Sequence, residues 1–157
     1  MMNGVIQTVQ EPEITLSSNT ASVPFAATDL RTRSAMNCSG FVNHNEGSAL
    51  FSILDGGVYR ISFNANVTSA TVGQVALALF ADGVQQTGTE MDAVVGTAGE
   101  FTNIAFSKDI KVCCKGTVNL AMASVPSIVY SGGATPVITE TQIPILKNAR
   151  FSIERLS

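Results

Sequence analysis

Two consecutive runs between residues 54 and 82 constrain this chain more than any other feature. In the first, Tyr59, Ile61, Phe63, Ala65 and Val67 alternate with Arg60, Ser62, Asn64 and Asn66. A period of two puts one set in a core and the other in water, as in a half-buried β-strand. In the second run, Val75, Ala76, Leu77, Ala78, Leu79 and Phe80 are apolar on both faces and lead to the turn pair Asp82-Gly83. A strand without a polar side needs a cover on each face. The pair predicts a β-sandwich that assembles. Leu77 and Leu79 face its core, while Ala76, Ala78 and Phe80 meet sister copies, the alternative being a long loop of the same chain that covers them. Small residues there allow close approach, and one aromatic anchors the contact.

The rest of the chain reads as short strands divided by turns. Residues 20–26, 49–54, 101–107, 110–114, 117–125 and 146–156 have strand character, and residues 30–36 are either a strand or a loop. Residues 91–95 offer a short strand inside a looser stretch. Asp82-Gly83 signals a hairpin, because both central residues of a type I′ turn need positive φ. No segment has helical periodicity, so the expectation is an all-β antiparallel sandwich or jelly roll of eight to ten strands. Its core is predicted from Tyr59, Ile61, Phe63, Leu77, Leu79, Phe106, Leu120, Met122, Phe151 and Ile153. Residues 1–18, polar and without sustained periodicity, read as an N-terminal arm, either disordered or docked on a partner. Residues 19–157 read as the single jelly-roll domain.

Composition favours assembly. Charged residues make up 13% of the 157 positions, against about 25% in a typical soluble domain, and the mean hydropathy is +0.28. The nine Lys and Arg are scattered and the net charge is −3, so no basic stripe exists to bind nucleic acid. No apolar run reaches the roughly 20 residues needed to span a bilayer. The first seven residues lack a basic start and an apolar centre, so no signal peptide is expected, and synthesis in a cytoplasm follows.

Candidate chemistry is sparse. His44 is the one histidine and sits among Asn43, Asn45 and Glu46, which reads as a solvated loop residue rather than a general base. Zinc is excluded by the missing ligand pairs. Glu90 and Asp92 flank Met91, but two acids make a poor cation site. Of three cysteines, Cys38, Cys113 and Cys114, the adjacent pair resists bridging because the ring would be strained. Strand spacing places Cys113 on a face with Lys111 and Lys115, a setting that favours thiol reactivity, and sends Cys114 to the core with Ile110 and Val112. No catalytic residue, cofactor site or metal site is expected.

The segment Gly57-Val58-Tyr59-Arg60-Ile61-Ser62-Phe63-Asn64-Ala65 resembles the signature strand of the globular heads of complement's first component, which share their fold with the tumour necrosis factor family. The apolar run to Gly83, the strands within residues 110–122 and the closing strand at 151–156 follow in the family's order. The resemblance covers residues 20–157. It implies a ten-stranded jelly roll forming a tight homotrimer. Residues 1–18 contain no Gly-x-y repeat and are expected to stand where the family has a collagen-like stalk, and the family's calcium carboxylates have no clear counterpart, so no metal site is carried over. Bacterial and bacteriophage members match best, which implies a structural protein on a virion surface, made in the host cytoplasm and docked on a capsid or fibre protein. The alternative is a ligand-binding head that reads a host glycan or protein through residues 91–99 and 126–144.

Overall fold

The computed structural model describes residues 4–16, 22–31, 41–123, 127–131, 135–139 and 141–157. Cys38 and the end of the segment expected at 30–36 lie outside these residues. Two antiparallel sheets face one another. The first contains β1 (Val5–Gln10), β2 (Ile14–Thr15), β3 (Ala27–Arg31), β6 (Gly57–Thr68), β10 (Thr102–Val112) and β14 (Ile145–Arg155). Its order is β10-β6-β14-β1-β3, with β2 on β14. The second contains β4 (Val42–Asn43), β5 (Phe51–Ile53), β7 (Gly73–Ala81), β8 (Val84–Gln85), β9 (Met91–Val95) and β11 (Gly116–Met122). It runs β4-β5-β11-β7-β8, with β9 also on β7. A third, two-stranded sheet pairs β12 (Ser127–Ser131) with β13 (Thr135–Thr139).

The alternating run forms β6, and its apolar set is buried from Tyr59 to Val67. Phe63 lies in register with Phe106 on one side and Phe151 on the other. Phe51 from the opposite sheet closes on Phe151, with ring centroids 4.7 Å apart, and Phe25 meets both. This aromatic cluster joins the two layers and supplies the largest apolar area of the core. Eight of the ten predicted core residues are buried, while Phe106 and Met122 pack against the core half-exposed. The turn after β7 behaves as its residues require: Asp82 and Gly83 have φ of 49° and 77°, and β8 returns along β7.

The expected arm is corrected. Residues 5–10 form β1, seated between β14 and β3, and Ile14-Thr15 pairs with β14. The inward residues of β1 are Ile6, Thr8 and Gln10. Two of these are polar, which hides the core face in the sequence. Each has an internal partner: the Thr8 hydroxyl donates to the Phe151 carbonyl at 3.2 Å, and Gln10 Oε1 accepts the Ala26 N–H at 3.0 Å. Their burial therefore costs little.

Candidate interaction surface

Of the three residues expected to meet sister copies, Ala76 and Ala78 are not on the surface. Val75, Leu77 and Leu79 face the sandwich core, and Ala76 and Ala78 are fully buried on the opposite face within a single chain. They form a second small cluster with Ala123, against which Phe80 packs half-exposed. The cover that a strand apolar on both sides demands comes from the chain itself, so Ala76 and Ala78 offer no contact to another copy.

The outward face of the first sheet is available instead, and the register shows how it is built. Ser107 of β10, Ser62 of β6, Ser152 of β14 and Gln7 of β1 stand opposite one another across four strands. The Ser62 and Ser107 hydroxyls are 3.1 Å apart and hydrogen-bonded. On one side of this uncharged row lie Asp109, Arg60, Glu154 and Val5; on the other lie Ala105, Asn64, Arg150 and Val9. Arg60 clasps Asp109 through two parallel bonds of 2.9 and 3.2 Å. That hydrogen bond holds the Arg60 guanidinium above its ordinary value, so its charge is permanent. Farther along, Asn103 Nδ2 donates to Asn66 Oδ1 at 3.2 Å. Short polar side chains that satisfy each other across strands leave a surface needing little desolvation when another protein covers it.

The loop residues settle differently from their sequence reading. His44 is buried, not solvated: its ring stacks on Phe51 with centroids 4.1 Å apart, and Nε2 lies 2.9 Å from the Ser48 carbonyl. A ring fixed in the core edge has no substrate to reach. Glu90 hydrogen-bonds Asp92, and this contact pushes the Glu90 carboxyl above its ordinary range. Among the described residues no three His, Cys, Asp or Glu side chains gather as a metal site.

The ends of the sandwich hold the remaining features. Cys113 and Cys114 are both free and exposed. The core position expected for Cys114 fails because β10 stops at Val112, so strand alternation does not carry past it. Cys113 lines a cavity of about 230 Å³ with Lys111, Lys115, Asp82, Ile53 and Ile110, and Cys114 does not. A groove of about 540 Å³ beside Ile14, Leu16, Pro24 and Ala49 carries no ionisable side chain. Arg155 ties the chain end to the turn before β6, donating to the Gly56 carbonyl at 2.9 Å and meeting Asp55 at 3.5 Å. The neighbouring Tyr59 hydroxyl donates to the Asp55 carbonyl at 2.7 Å, and burial pushes its pKa up.

The chain superposes on the globular domain of zebrafish complement 1qA protein, covering 98% of each chain with a TM-score of 0.63 and 11% identity. Murine APRIL at pH 5.0 matches over 99% of this chain and 100% of its own, with a TM-score of 0.62 and 8% identity. Eiger TNF from S. frugiperda matches over 99% and 92%, with a TM-score of 0.61 and 6% identity. No protein-family model and no curated protein sequence matches. Identities this low establish the fold alone: an all-β jelly-roll sandwich of the complement-head and tumour-necrosis-factor type. The resemblance carried by residues 57–65 is met at that level.

Proposed function

We propose that this chain is a non-enzymatic, homotrimeric building block of a larger assembly, a structural protein of a bacteriophage virion surface docked on a capsid or fibre protein. The observation that carries self-association is the uncharged Ser107-Ser62-Ser152-Gln7 row, crossing four strands of the first sheet. Short uncharged side chains cost little to desolvate, so a copy can lie across this row more cheaply than across the charged rows beside it. Val5 and Val9, half-exposed on the same face, add apolar area that a neighbour would cover. The low overall charge agrees. The non-catalytic reading rests on His44 being packed in the core edge and on the acid pair being exposed, Asp92 on the outer face of β9 and Glu90 just before it. The virion assignment is an analogy drawn from the sequence resemblance of residues 57–65 in a small, thiol-bearing chain.

A second reading, a head that recognises a host glycan or protein, draws on the β12–β13 hairpin. This hairpin forms its own sheet outside the two main ones, inside the 126–144 stretch that separates β11 from β14.

Light scattering on the purified chain tests the main reading. A mass of three chains is expected, and Ser62→Arg with Ser152→Arg should reduce it to one while the β-sheet circular dichroism is kept. A single-chain mass at high concentration ends the trimer reading. Reproducible sugar binding on a glycan array moves the function to the head reading.

A further inference from the structure

We infer that Cys113 is a site of reversible S-thiolation by small anionic disulfides, selected over its neighbour Cys114 by the cavity at the end of the sandwich. Three observations carry this. Both thiols are free and exposed, so accessibility does not distinguish them. Only Cys113 lines the cavity, a space of about 230 Å³ with an apolar floor that includes Ile53, Ile110 and Val118. That volume lies below the roughly 300 Å³ at which drug-sized sites begin, so it suits one arm of a small reagent. The same lining contains Lys111 and Lys115 and one carboxylate, Asp82. Asp82 is already engaged, accepting the Thr117 N–H at 2.9 Å. The chain as a whole carries −3, so a preference for anions at this point must come from the two local ammonium groups.

The chemistry is thiol–disulfide exchange. The Cys113 thiolate attacks one sulfur of the reagent R–S–S–R, a protein–S–S–R bond forms, and the old S–S bond breaks. The released R–S⁻ takes up the proton that Cys113 gave. The reagent is the oxidant, reduced to one thiol as Cys113 is oxidised. Cys114 cannot readily discharge the adduct, because closing a bond between adjacent residues strains the ring. The modification therefore persists until an external thiol reverses it. Lys111 lies on β10 two rows beyond Ser107, but the test reads the position and rate of the adduct and not the number of chains, so the two ideas stand or fall separately.

The test treats the full chain with oxidised glutathione at low ionic strength and follows the adduct by intact mass and peptide mapping. Cys113 is expected to carry it, Cys113→Ser should abolish the fast phase, and Cys114→Ser should leave it. Lys111→Gln with Lys115→Gln should slow the reaction about tenfold, within the range of local electrostatic steering. Raising salt should slow the unmodified chain in the same direction, which keeps the test decisive if the double variant folds poorly. Cationic cystamine should react more slowly than the anionic reagent. An adduct found mainly on Cys114, a rate indifferent to salt, or cystamine reacting as fast as glutathione disulfide overturns the inference.

Discussion

At the scale of single residues, space decides what two glycines do. A Cβ at Gly56 would lie 2.3 Å from the Cys113 carbonyl oxygen, and one at Gly57 would lie 2.3 Å from the Ser157 carbonyl oxygen. In both cases the obstacle is backbone, which cannot swing aside. Gly56→Ala should therefore destabilise the chain by about 1–3 kcal/mol, the usual cost of overpacking. Gly96 has nothing within 4 Å of its Cβ position, and Gly96→Ala should stay within about 0.5 kcal/mol of the parent. Urea denaturation of the two variants gives the contrast; equal midpoints would show that the turn before β6 yields more easily than its geometry allows. The acid pair gives a pH prediction. Glu90 binds its proton more tightly folded than unfolded, first through its hydrogen bond with Asp92. The folded state therefore holds more protons above the ordinary value of 4.5. The resulting stability is complete below that value and is lost as pH rises through the raised one. Asp92→Asn should flatten this decline, and melting curves between about pH 4 and pH 7 will show it; an unchanged slope would mean that the pair is uncoupled in solution.

At the scale of elements, β1 is the instructive case. Removing residues 1–12 from a dispensable arm would leave the fold intact; removing a strand seated between β14 and β3 opens the edge of β14 at Ile153 and Phe151 and leaves β3 without a partner strand. The truncated chain should fail to fold, and Ile6→Ala should cost about 2–5 kcal/mol, as for a buried large-to-small change. Cooperative folding of the truncated chain would return residues 5–10 to the status of an arm. What could be read beforehand follows from how each element advertises its core. β6 and β7 were legible because every inward position is apolar, and the hairpin at Asp82-Gly83 because its backbone demands those residue types. β1 was not, because Thr8 and Gln10 face inward and find their partners in Phe151 and Ala26, far along the chain. The second side of β7 is expected from its apolar pattern to be covered by sister copies, and that expectation fails, because pattern alone does not distinguish a copy from the chain's own loops. Burial of Ala76 and Ala78 answers that. Alternation also misled at Cys114, since a period of two holds only while the strand lasts and β10 ends at Val112.

At the scale of the whole molecule, the proposed trimer would have a thermodynamic signature that a monomer lacks. When three chains fold together, the unfolded state gains from dilution and the folded state from concentration. For three chains associating, a tenfold rise in chain concentration favours the folded trimer by about 0.9 kcal/mol per chain, two thirds of the 1.4 kcal/mol that a factor of ten represents. In a domain of this size each kcal/mol moves the melting temperature by about 2–4 °C. The unaltered chain should therefore melt about 2–4 °C higher for every tenfold increase in concentration. Ser62→Arg with Ser152→Arg puts two long cations into the uncharged row, where each would have to be desolvated against its copies. That variant should melt at a lower temperature that no longer depends on concentration. The same substitutions point outward in a lone chain and touch none of the aromatic cluster around Phe51 and Phe151, so they should not weaken the sandwich itself. A melting temperature independent of concentration in both proteins would remove the first sheet from consideration as the assembling face.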